Sequence, residues 1–243
     1  MTRKKRVGLA CLPLGLAVAF SFMAACGGGE PNQTGSETVV PPDSRGRLVI
    51  IGGALQAENT EVYQAIVAGR AGDGPVCVFP TASAEPQGSM ESAIARIDAV
   101  GGAGTAEGIF LTVDNPEAAA LPETVRQIEG CSGFYFVGGQ QGRIVEVFRP
   151  DEGDSPAYGA LMARFHSGAV VSGSSAGAAI MNDPMIGGGN SRGALAEGVR
   201  SGEEGEGVIL ERGMGFLQNT LVDQHFLARG RWARLLVACL LYT

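Results

Sequence analysis

Ser175 and His225 are the residues of this 243-residue chain whose types and settings could carry acyl-transfer chemistry. Ser175 lies in Gly173-Ser174-Ser175-Ala176-Gly177, after the apolar Val170-Val171 and before Ala178-Ala179. This is the G-x-S-x-G pattern of a nucleophile elbow, where a strand turns sharply into a helix with a hydroxyl at the corner. So tight a turn needs small neighbours, because the strand and helix backbones approach closely. The N–H groups and positive dipole end of the following helix would face a developing oxyanion. In a chain with 38 glycines the same letters also fit a plain Gly/Ser connection that binds nothing. The apolar run before it and the helix-compatible run after it favour the nucleophile.

A serine hydroxyl must lose its proton to attack, so a base is required. The chain offers two histidines. His166 closes a polar-faced helical run and reads as solvated. His225 stands at the end of a strand-like run, in Asp223-Gln224-His225-Phe226, and is the expected general base. The alternative for it is a structural histidine bonded to backbone.

The elements that must position these groups alternate. Strands are expected at 47–51, 75–79, 108–113, 133–137 and 169–172, with a further strand-like run at 220–223. Helices are expected at 58–69, 89–100, 116–129, 141–148 and 156–166. Continuous apolar strands between helical runs indicate a mostly parallel sheet covered on both faces, a doubly wound α/β sandwich. In such a sheet ligands bind beyond the carboxyl ends of the strands. Gly52-Gly53, Thr81-Ala82-Ser83, Gly138-Gly139-Gln140-Gln141, the elbow and Asp223-Gln224-His225 all fall there.

Four segments together resemble the cyanophycinases, a family of serine peptidases. They are Gly138-Gly139-Gln140-Gln141, Gly173-Ser174-Ser175-Ala176-Gly177-Ala178, Gly213-Met214-Gly215-Phe216-Leu217, and Asp223-Gln224-His225-Phe226 with Arg229-Gly230-Arg231 and Arg234-Leu235. The resemblance spans about residues 46 to 241. It implies a class I glutamine amidotransferase-like, flavodoxin-like three-layer sandwich. It implies hydrolysis of cyanophycin, a polyaspartate bearing arginine on each side chain, to β-Asp-Arg dipeptides. By resemblance Ser175 is the nucleophile and His225 the base, with an oxyanion hole from the N–H of Ala176 and of Gly138 or Gly139. Gln141, Asp223, Gln224, Arg229, Arg231 and Arg234 match substrate-pocket positions. Arginines in that spacing suit carboxylates bidentately; otherwise they are a solvated helix face. The family's acid falls between nucleophile and histidine, where this chain departs from the pattern. Glu197 is the expected orienter, with Glu203, Glu204 and Glu206 as competitors. No metal or organic cofactor is implied, and the family's frequent dimerisation allows a homodimer. Two other readings stay open: a dipeptidase for aspartyl or β-aspartyl peptides, and a binding module on a decayed hydrolase scaffold.

The ends add compartment and boundaries. Arg3-Lys4-Lys5-Arg6, an apolar stretch from Val7 to Ala25 and Met23-Ala24-Ala25-Cys26 read as an export signal over 1–26, with Cys26 as lipidation site. Residues 27–45 read as a disordered tether and 46–243 as the catalytic domain. An exported, membrane-anchored lipoprotein, periplasmic or extracellular, is expected. Of 18 basic residues four stand in that leader, whereas 25 acidic residues occur in the whole chain. So acidic a body argues against nucleic acid as partner. Cys77, Cys131 and Cys239 lack metal-ligand spacing; Cys77 reads as a small core residue, with one disulfide left open. An amphipathic helix from Arg231 stops at Thr243 without a polar tail, which points to a longer natural chain.

Overall fold

The computed structural model describes residues 46–200 and 205–242, all within the compact unit Val40–Thr243. The leader and tether, with Cys26, and the acidic residues Glu203 and Glu204 lie outside the described residues.

Short apolar runs become strands where both of their faces can be covered. Those of β1 (Leu48–Ile51), β2 (Val76–Phe79), β3 (Ala106–Gly108), β4 (Gly133–Phe136) and β5 (Val170–Ser174) form one parallel sheet in the order β1-β5-β4-β2-β3. Alternate side chains divide between two cores. Val76, Val78 and Tyr135 face Tyr63, Ile66 and Ile97, whereas Cys77, Phe79, Phe134 and Phe136 face Ile128, Ile144 and Leu161. From β1 through β3 the chain crosses the sheet one way, and from β3 through β5 it returns. Right-handed crossovers then place α1 (Thr60–Ala68) and α2 (Pro86–Gly101) on one face. They place α3 (Pro122–Gly130), α4 (Gln141–Phe148) and α5 (Pro156–His166) on the other, as the two cores require. The doubly wound α/β sandwich expected from the sequence is therefore present.

Three elements differ from expectation. The helix expected over 116–129 is a 3-10 turn, Pro116–Ala120, followed by α3. Proline at 122 disfavours helical backbone at Leu121, which is extended with φ −70° and ψ 134°. The third strand ends at Gly108, because β3 is an edge strand and the chain then turns inward to bury Ile109 and Leu111. Residues 220–223 form no strand: Val222 N–H donates to the Asn182 side chain and His225 N–H to the Gly52 carbonyl, so side chain and loop replace a ladder.

Beyond the elbow helix α6 (Ala176–Ala179) the chain builds a smaller layer. There β8 (Val208–Glu211) pairs antiparallel with β6 (Met185–Gly188) and parallel with β7 (Val199–Arg200). Asn190 caps α7 (Ser191–Glu197) by accepting from Gly193 N–H at 2.8 Å. The last helix, α8 (Trp232–Tyr242), packs Ala238 with Ile186, Ala194 and Val208. Leu235 and Val237 pack against the same cluster, whereas Trp232, Leu236 and Leu240 on the other side of α8 are exposed.

Cys77 on β2 and Cys131 after α3 are joined by a disulfide across 54 residues, Cα to Cα 5.9 Å. Closing a loop of that length stabilises by about 4 kcal/mol in the chain-entropy account. Cys131→Ser should therefore lower the unfolding free energy by about 2–4 kcal/mol, read as a lower denaturant midpoint. An unchanged midpoint would show that the pair is not bonded in solution.

Candidate active site

The sheet register sets the site. Ile51 aligns with Ser174, and Phe136 with Gly173, so β1, β4 and β5 end at one level. Ser175 follows at the corner with φ 56° and ψ −107°, a conformation that a residue bearing a Cβ adopts at a cost of about 1–3 kcal/mol. Its neighbours hold it there. Ser175 N–H donates to the Ile51 carbonyl at 2.9 Å, and its carbonyl accepts from Ala178 and Ala179. A Cβ at Gly173 would overlap the Gly177 backbone, and one at Gly177 would overlap Phe136. Both glycines of the pattern are thus required by close approach.

His225 arrives on the loop ahead of α8, also left-handed at φ 49°, with its N–H on the Gly52 carbonyl at 2.7 Å. The space its ring fills exists because residue 53 is glycine: a Cβ there would overlap the imidazole. The ring Nε2 lies 3.0 Å from Ser175 Oγ. Burial, and then the positive charges of Arg229 and Arg231, hold the imidazole below its ordinary value of 6.5. It is neutral at pH 7, with a lone pair for the serine proton when Nδ1 carries the hydrogen. Among the described residues, Nδ1 has no hydrogen-bond partner and no carboxylate acts on the ring. The sign of the pH dependence follows. With His225 as the expected base, protonation would remove it, so kcat/KM should rise through an apparent pKa below 6.5 and be flat at neutrality. Arg229→Gln should move that limb upward, toward 6.5. A limb already above 6.5 in the unaltered protein would contradict the assignment.

The backbone donors expected for an oxyanion are close by. Gly138 stands directly against Ser175, since a Cβ on it would lie 3.3 Å from that of Ser175. Gly139 has φ +146° and is pressed against the Ala82 carbonyl with no room for a side chain. Neither donates its N–H to another backbone group among the described residues. Ala176 opens α6, where a first N–H has no partner within the helix.

The remaining residues singled out by the sequence separate. Gln224 is buried, with Oε1 3.5 Å from Ser175 Oγ. Arg229 is exposed and has no side-chain partner among the described residues. Arg231 donates to the Gln224 carbonyl at 2.7 Å and lies 3.7 Å from Asp223. Asp223 and Arg234 are held by each other. Arg234 grips the Asp223 carboxylate through Nε at 2.8 Å and also through Nη2, and Nη1 donates to the Gly189 carbonyl at 2.7 Å. The Asp223 side chain is 0% exposed and that of Arg234 4%. Arg234 is thus not on a solvated helix face. Gln141 spends its amide N–H groups on the Ile186 and Gly187 carbonyls, tying α4 to β6. Glu197 is exposed and accepts from Glu206 and Gly207 N–H at 3.0 and 3.1 Å, bracing the turn into β8. The structure does not bring its carboxylate to the imidazole. His166 is exposed at the end of α5, before β5 begins, at the opposite end of the strand from Ser175.

Sequence reasoning passed over the cleft beside Ser175. It has a volume of about 260 Å³ and is lined by Leu55, Ser89, Arg96, Tyr135, Ser174 and Ser175 among others. Burial, and then Tyr63, push Tyr135 up to about 12, against the pull of Arg96 and a hydrogen bond to Ser174. Its hydroxyl is therefore neutral. Arg96 had only its place on a helix to mark it, which does not distinguish it from a solvated charge. Among the described residues no group of three His, Cys, Asp or Glu side chains could hold a metal ion.

No family model matches the chain. It is 30% identical over 205 residues to a cyanophycinase of Nostoc sp., covering 83% of this chain and 64% of that one. It is 32% identical over 199 residues to a cyanophycinase of Synechococcus elongatus, covering 80% and 56%. The chain is related by sequence to the cyanophycinases. It spans less than two thirds of the length of these two relatives. A third cyanophycinase, from Geminocystis herdmanii, is 28% identical over 199 residues. Among solved structures, a peptidase from an acI-B1 Actinobacterium superposes with a TM-score of 0.55 at 21% identity, over 82% of this chain and 76% of that one. That likeness is one of fold.

Proposed function

We propose that this chain is a serine hydrolase that cleaves cyanophycin to β-Asp-Arg dipeptides, on a sandwich of the class I glutamine amidotransferase kind. One observation carries the reading: a serine held at positive φ between strand and helix, its Oγ 3.0 Å from the Nε2 of a neutral histidine. Ser175 Oγ attacks the scissile carbonyl while His225 takes its proton. The oxyanion is met by the N–H of Ala176 and of Gly138 or Gly139. The imidazolium then protonates the leaving amine, an acyl-serine remains, and water deprotonated by His225 releases the acid. The sequence relationship to cyanophycinases supports the substrate. Incubating the purified chain with cyanophycin and weighing the soluble products by mass spectrometry tests it. β-Asp-Arg is expected; intact polymer refutes the substrate.

The unaided Nδ1 favours one competing reading, a binding protein on a decayed hydrolase scaffold. Covalent labelling by a fluorophosphonate separates the two, since a decayed site should leave Ser175 unmodified. Export with a lipid on Cys26 belongs to the proposal as well. The Cys77–Cys131 disulfide supports it, because such bonds persist in oxidising compartments. Radiolabelled palmitate incorporated into the unaltered chain but not into Cys26→Ser is the expected result. Among the described residues no helix is long and apolar enough to cross a membrane.

A further inference from the structure

We propose that the cleft between α2 and the elbow is a carboxylate subsite in which Arg96 receives an anionic group of the substrate residue acylating Ser175. This rests on the reading of Ser175 as nucleophile. Three observations carry it. The cleft opens onto Ser175 and Ser174 beside α2, and neither Asp223 nor Arg234 lines it. No acidic residue lines it, so a guanidinium would find no partner there. Arg96 itself is undersupplied. Its Nη1 makes two long contacts, to the Leu55 carbonyl at 3.3 Å and the Tyr63 hydroxyl at 3.5 Å. Its Nε and Nη2, the edge that meets a carboxylate with two parallel bonds, have no acceptor, and no carboxylate pairs with it among the described residues. The Tyr135 and Ser174 hydroxyls, hydrogen-bonded to each other, also line the cleft and leave one neutral donor between them.

The chemistry chooses between the two ends of the proposed substrate. Arginine joined through its α-amino group to an aspartyl side chain keeps a free carboxylate. That carboxylate, and not the guanidinium, is the group this cleft accepts. Arg229 and Arg231 lie on the histidine loop, whereas Arg96 is the basic residue among those lining the cleft.

The test uses two fluorophosphonates that differ only in whether their side arm ends in a carboxylate or in its methyl amide. The readout is the second-order rate of Ser175 modification. The unaltered protein should prefer the carboxylate probe about tenfold or more, the worth of a charge-assisted pair. Arg96→Gln should abolish that preference while leaving the rate of the amide probe unchanged, and Arg96→Lys should restore part of it. Equal rates for the two probes in the unaltered protein, an equal fall for both in Arg96→Gln, or no modification of Ser175 would each overturn the subsite. Carboxylate preference in a protein that leaves cyanophycin intact would sink the substrate proposed above and keep the subsite. Cleavage of cyanophycin without that preference would do the reverse.

Discussion

Ser175→Ala should lower the rate of cyanophycin hydrolysis by about 100-fold, far short of the million-fold loss seen when a complete triad loses its serine. The difference is set by His225. In a serine hydrolase with all three members, losing the serine or the histidine costs about as much as losing the whole triad, roughly two million-fold in kcat. Losing the acid alone costs about thirty thousand-fold. A site that begins without the acid has only the quotient, about a hundredfold, left to lose. Here Nδ1 has no acceptor among the described residues, and Glu197 is engaged on the turn into β8. Initial rates of dipeptide release from matched preparations, with circular dichroism to confirm folding, measure the effect. A loss near a million-fold would mean that a carboxylate does reach the imidazole in solution. Unchanged turnover would remove Ser175 from the mechanism.

Asp223→Ala should destabilise the fold by about 3–5 kcal/mol, because it leaves the Arg234 guanidinium buried and unpaired. At this size that corresponds to a fall of about 10 °C in Tm. The double replacement Asp223→Leu with Arg234→Met should recover much of the loss, since two apolar side chains bring no stranded charge. A substrate contact at Asp223 would behave otherwise: Tm would stay and KM would rise. Thermal denaturation of the two variants and the unaltered protein, beside their kinetics, separates the two roles.

The contrast between these residues shows what the sequence could and could not reveal. The sheet was legible because β2, β4 and β5 are short, wholly buried runs, and a parallel sheet demands such runs. The elbow was legible because Gly173 and Gly177 are local steric requirements, written next to the residue they serve. Pro122 was equally local, yet the apolar spacing across it resembled one helix, and its effect on Leu121 was overlooked. The pairing of Cys77 with Cys131 was not legible, since 54 residues of separation say nothing about which strand faces which helix. The burial of Asp223 and Arg234 was not legible for a related reason. A charged pair close in sequence looks solvated or functional until burial is known, and theirs is set by the Gly189 carbonyl and the layer around α7. Arg96 went unnoticed because its importance depends on Ser174 and Ser175, about 80 positions away in the chain.

The Asp223–Arg234 lock has a temporal consequence during synthesis. Every strand of the main sheet, and the bend bearing the hydroxyl, precedes residue 180, whereas the partner that steadies the histidine loop comes nine positions after the histidine itself. A nascent chain halted before Arg234 would own a finished scaffold and a primed alcohol but an unanchored proton acceptor. The histidine loop would then be fixed late, as the final clasp closes.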